Sequence, residues 1–222
     1  MEGVAKVEKL DKDFLRDIKA RTVKVTSSGR DGSPSVHVGH GILLNREGHV
    51  LTAGHVLRYS PSHIGIEGIY RLGNQTIERY KVVGISEYLE HQDLAVIQAD
   101  FNDSNMTSQL IIPKQDSFSL GTPLQLITII EPGDKPLLLV QNGKIIPCPY
   151  LGFYTLAKKQ EFLTSHKSKG GDSGAPIFNL GNELVGILLG EYELYIGDIG
   201  AKDNFSISSK VPPIYAQLSK YV

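Results

Sequence analysis

Gly170-Gly171-Asp172-Ser173-Gly174-Ala175-Pro176-Ile177 is the stretch from which the rest of the sequence is read. A serine framed by glycines, preceded by an aspartate and followed by an apolar run, suits acyl transfer: the hydroxyl stands exposed while neighbouring backbone N–H groups turn toward it, and glycine permits that turn. A serine hydroxyl is a weak nucleophile at neutral pH, so this reading requires a histidine base and a carboxylate that orients it. Both stand upstream. Leu51-Thr52-Ala53-Gly54-His55-Val56-Leu57 places a histidine where an apolar strand finishes and a short helical turn begins. His91-Gln92-Asp93-Leu94-Ala95-Val96-Ile97 places an aspartate at the mouth of a buried-looking run.

Outward from these motifs the sequence alternates between short apolar runs and turn residues, with little helix. The first series is Thr22–Thr26, Val36–Leu44, His49–Ala53, Ile64–Ile69, Ile77–Ile85 and Leu94–Ala99. The second is Pro123–Ile130, Leu137–Gln141, Lys144–Ile146, Gly152–Leu156, Glu161–Ser165, Ala175–Asn179 and Leu184–Leu189, with Asn142-Gly143 as a two-residue hairpin signal. Short strands at this spacing argue for antiparallel β-barrels. Leu10, Phe14, Leu15 and Ile18 recur at helical spacing, with Asp11 as the expected N-cap ahead of Phe14. Glycines 39 and 41 suggest a close backbone approach.

At 222 residues, 41% hydrophobic, 21% charged and with a formal net charge of −1, this is an ordinary globular composition. Near-neutral charge argues against nucleic-acid or membrane-surface partners that depend on a strong field. The single cysteine, Cys148, excludes an internal disulfide framework and reads as a quiet structural thiol between Pro147 and Pro149. No apolar run approaches the ~18–20 residues that span a bilayer, and residues 1–20 are charged rather than signal-like, so a cytoplasmic protein is expected.

The order His55, Asp93, Ser173, separated by 93 − 55 = 38 and 173 − 93 = 80 residues, is that of chymotrypsin barrels. It differs from the Ser…Asp…His of α/β-hydrolases and the Asp…His…Ser of subtilisin. Together with Gly39-His40-Gly41-Ile42 and Gly186-Ile187, the three motifs make the sequence resemble a chymotrypsin/trypsin-fold serine protease, closest in style to the bacterial high-temperature-requirement (HtrA-type) protease domain.

That resemblance implies an all-β fold of two six-stranded antiparallel barrels with short N- and C-terminal helices. The expected layout is an N-terminal helical segment over 1–19, a first barrel over 20–104, a linker over 105–120, a second barrel over 121–211 and a C-terminal helix over 212–222. No appended PDZ module is expected. It implies a serine endopeptidase acting on protein or peptide, without metal or organic cofactor. Ser173 would attack, His55 would carry the proton, Asp93 would hold the imidazole, and the N–H groups of Gly171 and Ser173 would form the oxyanion hole.

By the same layout, Lys167, Ser168, Leu188, Leu189, Gly190 and Glu191 would line the specificity pocket. Lys167 either favours acidic side chains or simply faces water, and Glu191 pulls the other way. Asp172 needs a donor, and His37 is the candidate that the resemblance suggests. The remaining histidines 40, 49, 63, 91 and 166 read as packed or solvent-facing. Two rivals stand beside this reading: a triad-bearing barrel held inactive as a regulatory module, and a serine esterase on another fold. The triad order and the lack of long helices oppose the esterase.

Overall fold

The computed structural model describes residues 12–27, 36–59, 64–68, 78–100, 109–115, 119–130, 137–146, 161–196 and 201–222. Helix α1 (Lys12–Arg21) leads into β1 (Thr22–Ser27), β2 (Val36–Leu43), β3 (His49–Ala53), β4 (Ile64–Gly68), β5 (Glu78–Leu89) and β6 (Leu94–Ala99). These six strands close in the order β1-β2-β3-β6-β5-β4. The second series is β7 (Pro123–Ile130), β8 (Leu137–Ile146), β9 (Glu161–Thr164), β10 (Pro176–Asn179), β11 (Leu184–Ile196) and β12 (Ala201–Lys210). It closes in the order β10-β11-β12-β9-β8-β7. Closure leaves neither sheet with a free edge along its paired length. A 3-10 turn (Pro212–Ile214) and α2 (Tyr215–Leu218) complete the fold.

Three apolar clusters explain the shape. Val23, Val25, Leu43, Val50, Ala53, Val56, Ala95 and Ile97 fill the first barrel, while Leu124, Leu126, Ile145, Phe162, Ala175, Ile177, Val185 and Leu188 fill the second. The largest cluster lies between the barrels, where Ile42, Leu51, Leu94 and Val96 meet Ile127, Phe178, Leu184 and Ile187. Both terminal helices enter it. Phe14 of α1 packs edge-on to Phe178 of the second barrel at 5.3 Å. Tyr221, just after α2, lies 4.7 Å from the His49 ring of the first. Arg21, almost fully buried, is held by Asp17 at 2.7 Å and donates to Leu43 O at 3.2 Å, which fixes α1 to β2.

The first barrel follows the hydrophobic pattern closely, with β3 and β6 at the expected boundaries. The second departs from it. Asn142-Gly143 does not turn: β8 runs straight through, pairing Asn142 with Gln125 and Gly143 with Leu124. The glycine serves packing instead, because a Cβ there would meet His166 Cδ2 at 2.5 Å. Strand β12 lacks an apolar alternation because its buried positions include hydroxyls on both faces: Ser206, Ser208 and Ser209 are all fully buried. Strand β11 runs on past Leu189 to pair with it through Ile196. Asp11, Gly152–Leu156 and Cys148 lie outside the described residues.

Candidate active site

The antiparallel pair β3–β6 sets the first half of the site. Ala53 pairs with Leu94, so His55, two residues past one strand, and Asp93, one residue before the other, leave the sheet side by side. Gly54 N–H donates to Asp93 O at 2.6 Å and pins the two ends together. Asp93 adopts the left-handed conformation at φ 52° as it closes the short 3-10 turn Glu90–Gln92, a position where aspartate is better tolerated than most residues. The result is a 2.6 Å hydrogen bond from His55 Nδ1–H to Asp93 Oδ2. With its proton on Nδ1, the ring turns a free Nε2 lone pair outward. The other carboxylate oxygen, Asp93 Oδ1, is buried and has no hydrogen-bond partner among the described residues.

The second half crosses between barrels. The loop ahead of β10 is folded by its own aspartate: Asp172 N–H donates to Lys169 O, Lys169 N–H donates to Asp172 Oδ2, each at 3.0 Å, and Ala175 N–H donates to Asp172 O at 3.1 Å. Gly174 N–H reaches Leu188 O on β11 at 2.7 Å. From the first barrel, His40 N–H on β2 donates to Ser173 O at 2.7 Å. The approach is so close that a Cβ on Gly174, at φ +88°, would lie 1.9 Å from His40 O. Ser173 O and Val56, the residue after His55, both press on Gly39, where a Cβ would come within 2.7 and 2.8 Å of them. The close approach expected at Gly39 is therefore to the serine itself.

Two further features bear on chemistry. Among the described residues, the N–H groups of Gly171, at φ +91°, and of Ser173 donate to no internal acceptor. Ser173 Oγ donates to Leu189 O at 2.9 Å, and no hydrogen bond joins it to His55 Nε2. A rotation about χ1 would redirect the hydroxyl.

These observations place the other anticipated residues. Lys167 and Glu191 are exposed and Leu188 is part of the second-barrel core. Leu189 offers its carbonyl, and Gly190 is half-buried. Ser168 Oγ is 2.9 Å from Ser206 Oγ, which also lies 2.9 Å from His166 O. Asp172 is buried and bonded as above. His37 pairs through its backbone with Thr26, and its side chain lies outside the described residues. His166, buried above Gly143, has its pKa lowered to about 4 by desolvation, against hydrogen bonds to the Leu124 and Gln141 backbone.

The family profile described as trypsin-like peptidase domain matches residues 39–187, from β2 into β11. The chain belongs to that family. The chain is similar to the glutamyl endopeptidase of Staphylococcus aureus strain MW2, with 32% identity over 159 residues that cover 68% of this chain and 44% of the relative. A second relative, the glutamyl endopeptidase of Staphylococcus epidermidis, shares 30% over 162 residues, covering 68% and 54%. The chain thus spans about half the length of these curated relatives. Among solved structures, the apo MamO protease domain from Magnetospirillum magneticum superposes with a TM-score of 0.63 at 18% identity, covering 93% of this chain and 98% of that one. The chain therefore has the chymotrypsin-like double barrel, and its family is that of the trypsin-like peptidase domains.

Sequence reading passed over two residues of this site. His40, expected to be packed or solvent-facing, grips the Ser173 loop, and Ser206 backs Ser168. Neither carried a signal, because what each touches is distant in the chain, 131 residues for His40 and Gly171. No helix among the described residues is long and apolar enough to cross a membrane.

Proposed function

We propose that the chain is a serine endopeptidase that cleaves polypeptides through an acyl-enzyme intermediate on Ser173. The observation that carries this reading is the convergence at Gly39 of the Ser173 loop and the His55 turn, with His55 already oriented by Asp93. His55 Nε2 takes the Ser173 proton as the hydroxyl attacks, and returns it to the leaving amine. Asp93 stabilises the imidazolium formed between those steps. The unengaged N–H groups of Gly171 and Ser173 receive the developing oxyanion, a contribution worth roughly 10²–10³ in rate per donor. Past Ile187, β11 is paired by β12 but no longer by β10, which leaves Gly190 and Glu191 a side on which substrate backbone can add as a strand. The lone cysteine suits a reducing compartment such as the cytoplasm.

The residue preceding the cut is acidic in this proposal. Ser168 presents an uncharged hydroxyl backed by the buried Ser206, with Lys167 exposed beside it, and the relatives are named glutamyl endopeptidases. A phosphonofluoridate should label Ser173 stoichiometrically in the native protein and fail on Ser173→Ala, and peptides with Glu before the scissile bond should outpace those with Leu or Lys. Absence of labelling together with absence of peptide hydrolysis would sink the endopeptidase reading. The Ser173 Oγ–Leu189 O bond favours a second reading, a site that rests with its hydroxyl parked. It predicts labelling that accelerates when a non-cleavable peptide lies along β11.

A further inference from the structure

We propose that His40 is a positioning residue for the oxyanion-binding loop, a role that rests on the reading of Ser173 as nucleophile. His40 is fully buried in β2 of the first barrel, yet both ring nitrogens reach the second. Ile129 N–H donates to Nε2 at 3.0 Å. Nε2 therefore presents a lone pair, the ring proton sits on Nδ1, and Nδ1–H donates to Gly171 O at 2.9 Å.

Gly171 O and Asp172 N–H belong to one peptide plane. His40 holds that plane at its oxygen and Lys169 O holds it at its nitrogen, at 3.0 Å. The next plane is held where Asp172 O accepts from Ala175 N–H at 3.1 Å. The one after is held by the His40 main chain, whose N–H reaches Ser173 O at 2.7 Å. His40 is itself fixed by Thr52 Oγ1, which donates to its carbonyl at 2.7 Å. All three peptide planes of the loop are thus clamped, two of them by the same residue of the opposite barrel. The Ser173 N–H lies on the middle plane, between the two that His40 holds, and the Gly171 N–H lies on the plane before the first, so holding Gly171 O fixes the Cα about which that N–H turns at φ +91°, where glycine has no side chain to limit the rotation. A hydrophobic side chain in place of His40 would fill the slot and leave the Gly171 carbonyl without its donor.

The test compares His40→Leu and His40→Asn with the unmodified protein and with Arg21→Met, which destabilises the first barrel away from the cleft. Asparagine Nδ2 can stand where Nδ1 stood. His40→Leu should lower kcat on a peptide substrate by roughly 10–10²-fold, less than the roughly 10²–10³ of losing an oxyanion donor outright, with KM changed less than about threefold. His40→Asn should recover most of that loss, and Arg21→Met should lose activity only in proportion to its unfolded fraction.

The inference is overturned if His40→Leu tracks the unfolded fraction as Arg21→Met does, if the loss falls on KM, or if Asn recovers nothing. NMR decides the point even where no turnover is seen, since long-range ¹H–¹⁵N spectra read the ring tautomer directly. A proton on Nε2, or a Gly171 amide resonance unmoved in His40→Leu, overturns the role. Silence of the unmodified protein toward phosphonofluoridate and peptide, with Nδ1 protonated and Gly171 shifted, instead counts against the endopeptidase reading and leaves the clamp standing.

Discussion

The two halves of the candidate site are built in different ways. His55 and Asp93 flank one antiparallel strand pair, and the register Ala53–Leu94, with the Gly54 N–H bond to Asp93 O, brings them to 2.6 Å. Ser173 comes from the other barrel, and its place depends on main-chain contacts across the interface, through His40 and Gly174. One half is a property of a sheet; the other is a property of how two sheets meet. The first half is consequently complete in the resting protein, while in the second the hydroxyl turns to Leu189. If the proposed activity holds, interface packing is the natural place for a change that tunes it without touching His55, Asp93 or Ser173.

The sharpest way to probe this division is to remove one member from each half. Ser173→Ala should lower kcat by roughly 10⁶, and Asp93→Asn, which leaves the ring in place but reverses its tautomer preference, by about 10⁴. Turnover of a peptide with both variants checks the order, and equal losses would mean the halves act as one unit. Breaking the junction itself comes next. Gly174→Ala forces a Cβ onto His40 O at a positive φ and should cost at least about 2–3 kcal/mol of stability, read from denaturant unfolding. Activity should fall further than the unfolded fraction explains.

A smaller effect separates the second barrel from the first by pH. His166 holds its pKa at about 4 by burial, against 6.5 for an unperturbed histidine. Between those values the unfolded chain binds a proton that the native protein refuses, so stability falls as pH drops from 6.5 toward 4. The loss should reach about 3 kcal/mol at most, and unfolding of His166→Gln over that range should show a flatter slope. Smallest of all, Gly143→Ala should cost about 1–2 kcal/mol by pressing a methyl into the His166 ring, with kcat nearly unchanged. A large drop in kcat would show that the second-barrel wall, too, sets the loop.

How much of this the sequence discloses follows the same division. Strands of the first barrel alternate or run apolar between turns, so β3 and β6 could be bounded to the residue, and with them the neighbours His55 and Asp93. The second barrel hides its pattern. Ser206, Ser208 and Ser209 are buried hydroxyls in a strand that looks polar. Asn142-Gly143 has the composition of a hairpin turn, yet its glycine answers to a histidine stacked above it. His40 was beyond reach for a simpler reason: a local pattern carries no trace of a contact made 131 positions away.

The crossing of the terminal helices has a consequence for how the molecule comes apart. The first helix rests on Phe178 and the last turn rests on His49, while Lys220 reaches Glu87 at 3.0 Å. Each barrel is strapped by a segment covalently continuous with its neighbour. Cleavage between them would therefore release two incomplete pieces rather than two autonomous folding units, and melting should proceed as a single cooperative transition.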